Sequence, residues 1–288
     1  MPGRKSGYGK SRSICGEDQP ACSDGGLLMD MHEKILSELE KIEQQYGVRI
    51  LHAVESGSRA WGFAYPNNDY AVRFIYVRPA ADYLQPEEFR NVIECKLCKL
   101  YEVLDIVGWD LQIAMTQFWR GNAILFEWCY SPVVYKTTSE WDKIRETANE
   151  FFSERTAVYH YYGMAQSAYL SLTRDKVHYK KYFYALRPLL AVMWIEQKHE
   201  IPPVLFDDLL KLELDSELRV AINDLIEKKK TTREWDYNPH IPVILDFIED
   251  ALSRQKSVSN AIPNNGKNDL SPLNNCYLQI VGLELPSQ

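Results

Sequence analysis

Apolar positions change period several times between residues 29 and 137. Ile35, Leu36, Leu39 and Ile42 recur at steps of one, three and three, the stripe of an amphipathic helix. Val48 to Val54 reads as a short strand. Further strands are predicted at Val72 to Val77 and around Val103 to Val107, separated by loops carrying Pro66, Asn67, Asn68, Pro79 and Pro86. After Ser139 the strand signals stop. Val158, Tyr161, Ala165, Ala168 and Leu172 then step by three and four, as do Leu218, Ile222 and Leu225, and Ile241, Ile244, Ile248 and Leu252. The pattern predicts an α+β protein: a small mixed-sheet domain over 29–137, then a helical domain over 138–252. Among the prolines near these helices only Pro188 falls mid-pattern, where it is expected to bend its helix.

Two segments lack any period. Residues 1–28 are rich in Gly, Ser and Lys and read as a flexible tail. Residues 253–288 read as a polar linker and C-terminal tail, in which Cys276-Tyr-Leu-Gln-Ile-Val-Gly-Leu is apolar enough to dock. No internal repeat is found.

Charge narrows the function. The chain of 288 residues carries 33 Lys+Arg against 40 Asp+Glu, a net charge of −7, which argues against a protein that coats long nucleic acid and leaves room only for a local basic patch. Six scattered cysteines without a secretory leader argue against a disulfide-stapled domain. Cys95-x2-Cys98 lacks the second soft pair that zinc needs. No run approaches the roughly 18 apolar residues of a membrane span. A cytoplasmic, soluble protein is expected.

The informative stretch runs from Glu55-Ser-Gly-Ser-Arg-Ala-Trp-Gly-Phe to Asp69-Tyr-Ala-Val-Arg. Gly57-Ser58 comes directly off a predicted strand and opens a short helix, so backbone N–H groups and a hydroxyl are expected to face outward together, a geometry suited to phosphate. Strand alternation then puts residues 69 and 71 on one face. Two carboxylates there would clamp a divalent metal against a triphosphate.

These residues resemble the Gly-Ser, Asp-x-Asp signature of the DNA polymerase β-type nucleotidyltransferase superfamily. More closely, the chain resembles the bacterial and phage nucleotidyltransferase group linked to RNA repair, the YcgL-like proteins. The likeness runs from about Val54 to Leu190 through the two motifs above, Gly108-Trp-Asp-Leu, Gly121-Asn-x-x-x-x-Glu-Trp and Lys180-Lys-Tyr-x-Tyr-x-Leu-Arg-Pro-Leu. It implies a nucleoside triphosphate substrate, Mg2+ or Mn2+, and transfer of a nucleoside monophosphate to an acceptor hydroxyl. An RNA 3′ end is the favoured acceptor and a protein hydroxyl the next.

One departure outweighs the matches. Where the family pattern has a second acid, two residues after Asp69, this chain has Ala71, whose methyl cannot ligate a cation. The chain is therefore expected to be nearly inactive. An isolated break in an otherwise intact motif favours an introduced substitution over a natural pseudoenzyme. The third carboxylate is Asp105 or Asp110. Asp110 directly precedes a helical run, where an N-cap belongs, so Asp105 is preferred as metal ligand and base.

Arg174, Lys176, His178, Lys180, Lys181 and Arg187, interleaved with Tyr179, Tyr182, Phe183 and Tyr184, form a basic aromatic strip in an acidic chain. The resemblance places Lys180, Lys181, Tyr182 and Arg187 with Gly57, Ser58 and Arg59 as candidate nucleotide contacts. Arg59 and Arg73 flank the site and suit either a phosphate or the bracing of an aspartate. Simpler roles are expected elsewhere: His52 as a packed histidine, Glu127 as a satisfied core acid, and Lys228 to Lys230 as complements to a helix C-terminus. The rival reading is a non-catalytic nucleotide- or RNA-binding module, for which Ala71 is natural.

Overall fold

The computed structural model describes residues 30–65, 68–86, 90–99, 102–174, 176–233, 236–263, 267 and 269–283. The expected tail over 1–28 lies outside them.

Ile35, Leu39 and Ile42 form the buried face of α1 (Met31–Tyr46). The chain then runs through β1 (Arg49–Glu55), the single turn α2 (Gly57–Ala60), β2 (Tyr70–Val77), α3 (Ala80–Tyr83), β3 (Val92–Lys99) and β4 (Glu102–Asp110). There follow α4 (Leu111–Trp119), α5 (Ala123–Cys129), β5 (Val134–Thr137) and α6 (Ser139–Asn149). The five strands make one mixed sheet in the order β3-β4-β2-β1-β5, with β2 and β4 parallel and the other neighbours antiparallel. Val72, Phe74, Tyr76, Leu104 and Ile106 bury one face under α1, while Leu51, Val54, Ile75 and Val77 meet α4, α5 and α6 on the other. Each such aliphatic or aromatic side chain contributes about 1.5–3 kcal/mol when fully buried.

The second half is helical: α7 (Glu154–Tyr169), α8 (Tyr179–Lys198), α9 (Phe206–Leu209), α10 (Ser216–Thr231), α11 (Pro242–Ser253) and α12 (Gln255–Ala261) share one apolar cluster. Pro188 lies inside α8, which continues to Lys198. Lys228 to Lys230 fill the last turn of α10, as expected, and Lys229 also lies 3.8 Å from the Tyr65 ring centroid.

Two boundaries differ from the sequence reading. The sheet unit does not end at 137: Trp141, Ile144 and Ala148 of α6 are fully buried among the sheet's own apolar residues, because a stripe at steps of three and four covers the remaining open face. Nor do the described residues after 252 form only a polar linker and tail. Val258 anchors α12, and Leu273, Cys276 and Val281 of α13 (Ser271–Val281) dock against the sheet half. Few apolar residues suffice there, since each helix buries only one narrow stripe.

His52 shows how tightly that junction packs. Its Nε2 donates to the Trp128 carbonyl at 3.2 Å, its Nδ1 accepts from the Thr137 hydroxyl at 3.1 Å, and its ring stacks on Trp141 at 4.5 Å. Burial lowers its pKa from 6.5 to about 4. A depressed pKa means that the neutral ring's contribution is intact above pH 6.5 and is lost as pH falls through about 4, a loss on the order of 3 kcal/mol. The thermal midpoint of His52→Gln should therefore lack most of the parent's decline across that window. An unchanged slope would show that other groups cause it.

Candidate active site

β1 ends at Glu55, and the chain turns through Ser56 into α2, opened by Gly57 at φ 64°. A Cβ at Gly57 would meet nothing within 4 Å, so the left-handed backbone, not crowding, calls for glycine. Among the described residues the amides of Gly57 and Ser58 donate no hydrogen bond, as first-turn amides have no partner within their helix. The Ser58 hydroxyl corrects the expectation of an outward-facing group. Ser58 is buried on the inner side of α2, and its hydroxyl donates to Asn68 Oδ1 at 3.3 Å, because a buried hydroxyl needs a partner. Asn68 Oδ1 also accepts from the Tyr65 amide at 2.8 Å, which ties the loop to the residue before Asp69.

Ala71 is held from both sides of its backbone. Its carbonyl accepts from Ser56 N at 2.9 Å, and its amide donates to Glu55 Oε1 at 2.7 Å. The other Glu55 oxygen accepts from the Tyr135 hydroxyl. Burial raises the Glu55 pKa, opposed by those two hydrogen bonds and by Arg59 and Arg73. Glu55, Asn68 and Tyr135 were given no role from sequence. A carboxylate closing an otherwise apolar strand just before the glycine loop was the available signal.

Across the parallel β2–β4 pair Ala71 lies directly opposite Asp105. Alternation puts Ala71 and Arg73 on one face, and continued one step back it adds the exposed Asp69. Arg73 Nη2 donates to Asp105 Oδ2 at 2.7 Å, and its Nη1 donates to the carbonyls of Val72 and Asp105. Arg59 donates to the carbonyls of Asn68 and Asp69 and lies 3.7 Å from the Tyr70 ring centroid. Both arginines thus brace the strand entry that carries the acids.

Asp110 is not brought to this place. It pairs with Tyr76, five residues along β4 from Asp105 and roughly 16 Å away at strand spacing. Its fully buried carboxylate caps α4 through the Gln112 amide and accepts from the Tyr83 hydroxyl, both at 2.9 Å. Burial raises its pKa, and Arg78 stands 3.9 Å away. A group so engaged is a helix cap.

The chain matches the profile of RlaP, the RNA repair pathway DNA polymerase beta family, over residues 31–279. The chain belongs to that family. Uncharacterized protein YcgL of Bacillus subtilis (strain 168) is 40% identical over 256 residues, covering 87% of this chain and 96% of that protein. A nucleotidyltransferase-like protein from Exiguobacterium sibiricum 255-15, known from a crystal structure, aligns over 79% of this chain and 75% of its own at 11% identity, with a TM-score of 0.30.

In this RlaP-family chain, three motifs that stand apart in sequence meet inside the protein. Glu127 Oε1 accepts from Arg187 Nη1 at 2.7 Å, Glu127 Oε2 accepts from Trp61 Nε1 at 3.2 Å, and the Arg187 guanidinium lies 4.5 Å from the Trp61 ring centroid. Arg187 Nε also reaches the Val204 carbonyl. Glu127 is the satisfied core acid expected. Arg187, however, is fully buried and is no surface contact for a nucleotide, and neither is Tyr182, whose hydroxyl lies 3.2 Å from His240 Nδ1 and accepts from the Ile241 amide. Both lie on the inward stripe of α8. Lys180 and the exposed Lys181 remain at its surface, 5.7 and 5.9 Å from the Tyr184 ring centroid.

Among the described residues no group of three or more His, Cys, Asp or Glu side chains converges on a metal-sized site. Among the described residues, Asp105 opposite Ala71 is already paired to Arg73, and the nearby Glu55 carboxylate is engaged by the Ala71 amide and the Tyr135 hydroxyl. This donor set does not fit the two-metal arrangement that the family resemblance implies. Nor is any helix among the described residues long and apolar enough to cross a membrane.

Proposed function

We propose that this fold serves a metal-dependent nucleotidyltransferase that moves a nucleoside monophosphate from a triphosphate to an acceptor hydroxyl, and that Ala71 leaves this chain impaired. The acceptor we favour is an RNA 3′ end, with a protein hydroxyl second. The observation that carries the reading is the register: position 71 lies opposite Asp105, beside the loop whose Gly57 and Ser58 amides have no partner among the described residues. A carboxylate at 71 would join Asp69 and Asp105 on one face. Positioning and charge neutralisation would then supply most of the rate.

The chain's own groups have definable parts. Glu55 and Ser56 fix the backbone at 71, Arg59 fixes the entry to β2, and Arg73 orients Asp105. A bound metal would supply Lewis-acid charge neutralisation. One observation favours the rival, a nucleotide-binding protein without turnover: the Arg73 guanidinium neutralises Asp105 with no metal ion needed. Incubating parent and Ala71→Asp chains with labelled nucleoside triphosphates, magnesium and total RNA or lysate separates the two. Label transfer confined to the restored chain supports the enzyme, whereas nucleotide binding without transfer in either chain supports the rival.

A further inference from the structure

The basic aromatic strip is only partly absorbed into the core, and what stays outside borders a groove of about 620 Å3 between α7 and α8. Gly163, Ser167 and Ala168 of α7 give it a floor of small groups. Tyr159, 46% exposed, stands on one side, and Lys181 and Tyr184 of α8 stand on the other. Each ring has a cation beside it: Arg155 lies 5.9 Å from the Tyr159 centroid, and Lys180 and Lys181 lie within 6 Å of the Tyr184 centroid. Unlike Lys228 to Lys230, Lys180 and Lys181 sit in the first turn of their helix, at its positive end.

We propose that this groove holds unstacked bases of a single-stranded RNA acceptor, with Tyr159 and Tyr184 offering ring faces and Lys180 and Lys181 meeting flanking phosphates. Stacking needs no base-specific contact, and the cations balance the backbone. A duplex keeps its bases paired and has nothing to insert. The groove also adjoins the candidate site. The Tyr184 ring meets Trp61 at 5.5 Å and Phe63 at 6.0 Å, both in edge geometry, in the segment that follows α2. The proposal rests on the nucleotidyltransferase reading for calling the RNA an acceptor. Binding itself is measured without turnover.

The test titrates a fluorescent single-stranded oligoribonucleotide of about 12 nucleotides into the parent chain without triphosphate or metal. A Cβ at Gly163 meets nothing within 4 Å, so Gly163→Leu fills the groove while replacing a poor helix former with a good one. Gly163→Leu and the surface change Lys181→Glu should each weaken binding about tenfold, the effect of losing one stacked base or its phosphate contact, with unchanged or higher thermal midpoints. Duplex RNA of equal length should bind more weakly. Equal affinity for parent and Gly163→Leu, no RNA binding by the parent, or no preference over duplex would overturn the proposal. So would a polyglutamate peptide that competes as well as the RNA, which would assign the groove to an acidic protein. If Ala71→Asp transfers no label while groove-dependent RNA binding persists, only the proposed reaction falls.

Discussion

Ala71→Asp is expected to raise label transfer from a nucleoside triphosphate by on the order of a thousandfold, the rate equivalent of the several kcal/mol that metal-held charge contributes. The register makes this more than a motif repair. A carboxylate at 71 would stand opposite Asp105, and two like charges directly across a strand pair destabilise each other unless a cation lies between them. Arg73 already satisfies one Asp105 oxygen, which leaves the other for sharing. Magnesium or manganese should therefore raise the thermal midpoint of Ala71→Asp and leave the parent's nearly unmoved, since only a ligand that binds the folded state stabilises it. That measurement does not depend on the acceptor. Ala71→Asn, which fills similar space without the charge, should respond as the parent does. A metal response equal in parent and Ala71→Asp would sink the proposed role of position 71.

The second large effect is on stability. Glu127→Ala would leave the Arg187 guanidinium buried without its carboxylate and Trp61 Nε1 without its acceptor. Arg187 Nη2 already has no partner among the described residues, so no second acid stands ready. Breaking such a pair from one side costs about 3–5 kcal/mol, which lowers the midpoint of a chain this size by roughly 10 °C. Glu127→Gln keeps an acceptor for Trp61 and removes only the charge. It should recover a small part of the loss if the buried cation is the main cost. Differential scanning calorimetry of the three proteins decides this, and a Glu127→Ala midpoint within about 2 °C of the parent would mean that water or a rearranged partner relieves the charge.

Much of the fold was legible because its elements bury one regular stripe. Ile35, Leu39 and Ile42, the apolar residues of Val72 to Val77, and Leu218, Ile222 and Leu225 all lie inside as their spacing predicts. β3 was missed: the charged Glu94, Lys96 and Lys99 break up its apolar positions, as charges often do on an edge strand. β5 is four residues long and too short to show a period.

At the site, the β2–β4 register sets Ala71 directly opposite Asp105, and Asp69 lies one residue before β2. Sequence alone misread Arg187 and Tyr182. A cation among lysines and tyrosines looks like surface, and its burial follows only from Glu127, sixty residues earlier, arriving at the same point. Ser58 was misjudged for the same reason, because its partner Asn68 belongs to the far side of the loop. Local pattern reveals which face of an element turns inward. It carries no record of which distant group waits there.

The placement of α13 has a consequence for dissection of the protein. The chain leaves the sheet half after α6, builds the helical half, and returns to seat Leu273 between α4 and α6. The sheet half is therefore discontinuous in sequence, and no single cut separates the two. A fragment stopped at 252 would carry every strand yet bare an apolar seat on its own surface, so it would tend to self-associate. A fragment meant to isolate the sheet half would have to keep α13 by joining the two pieces.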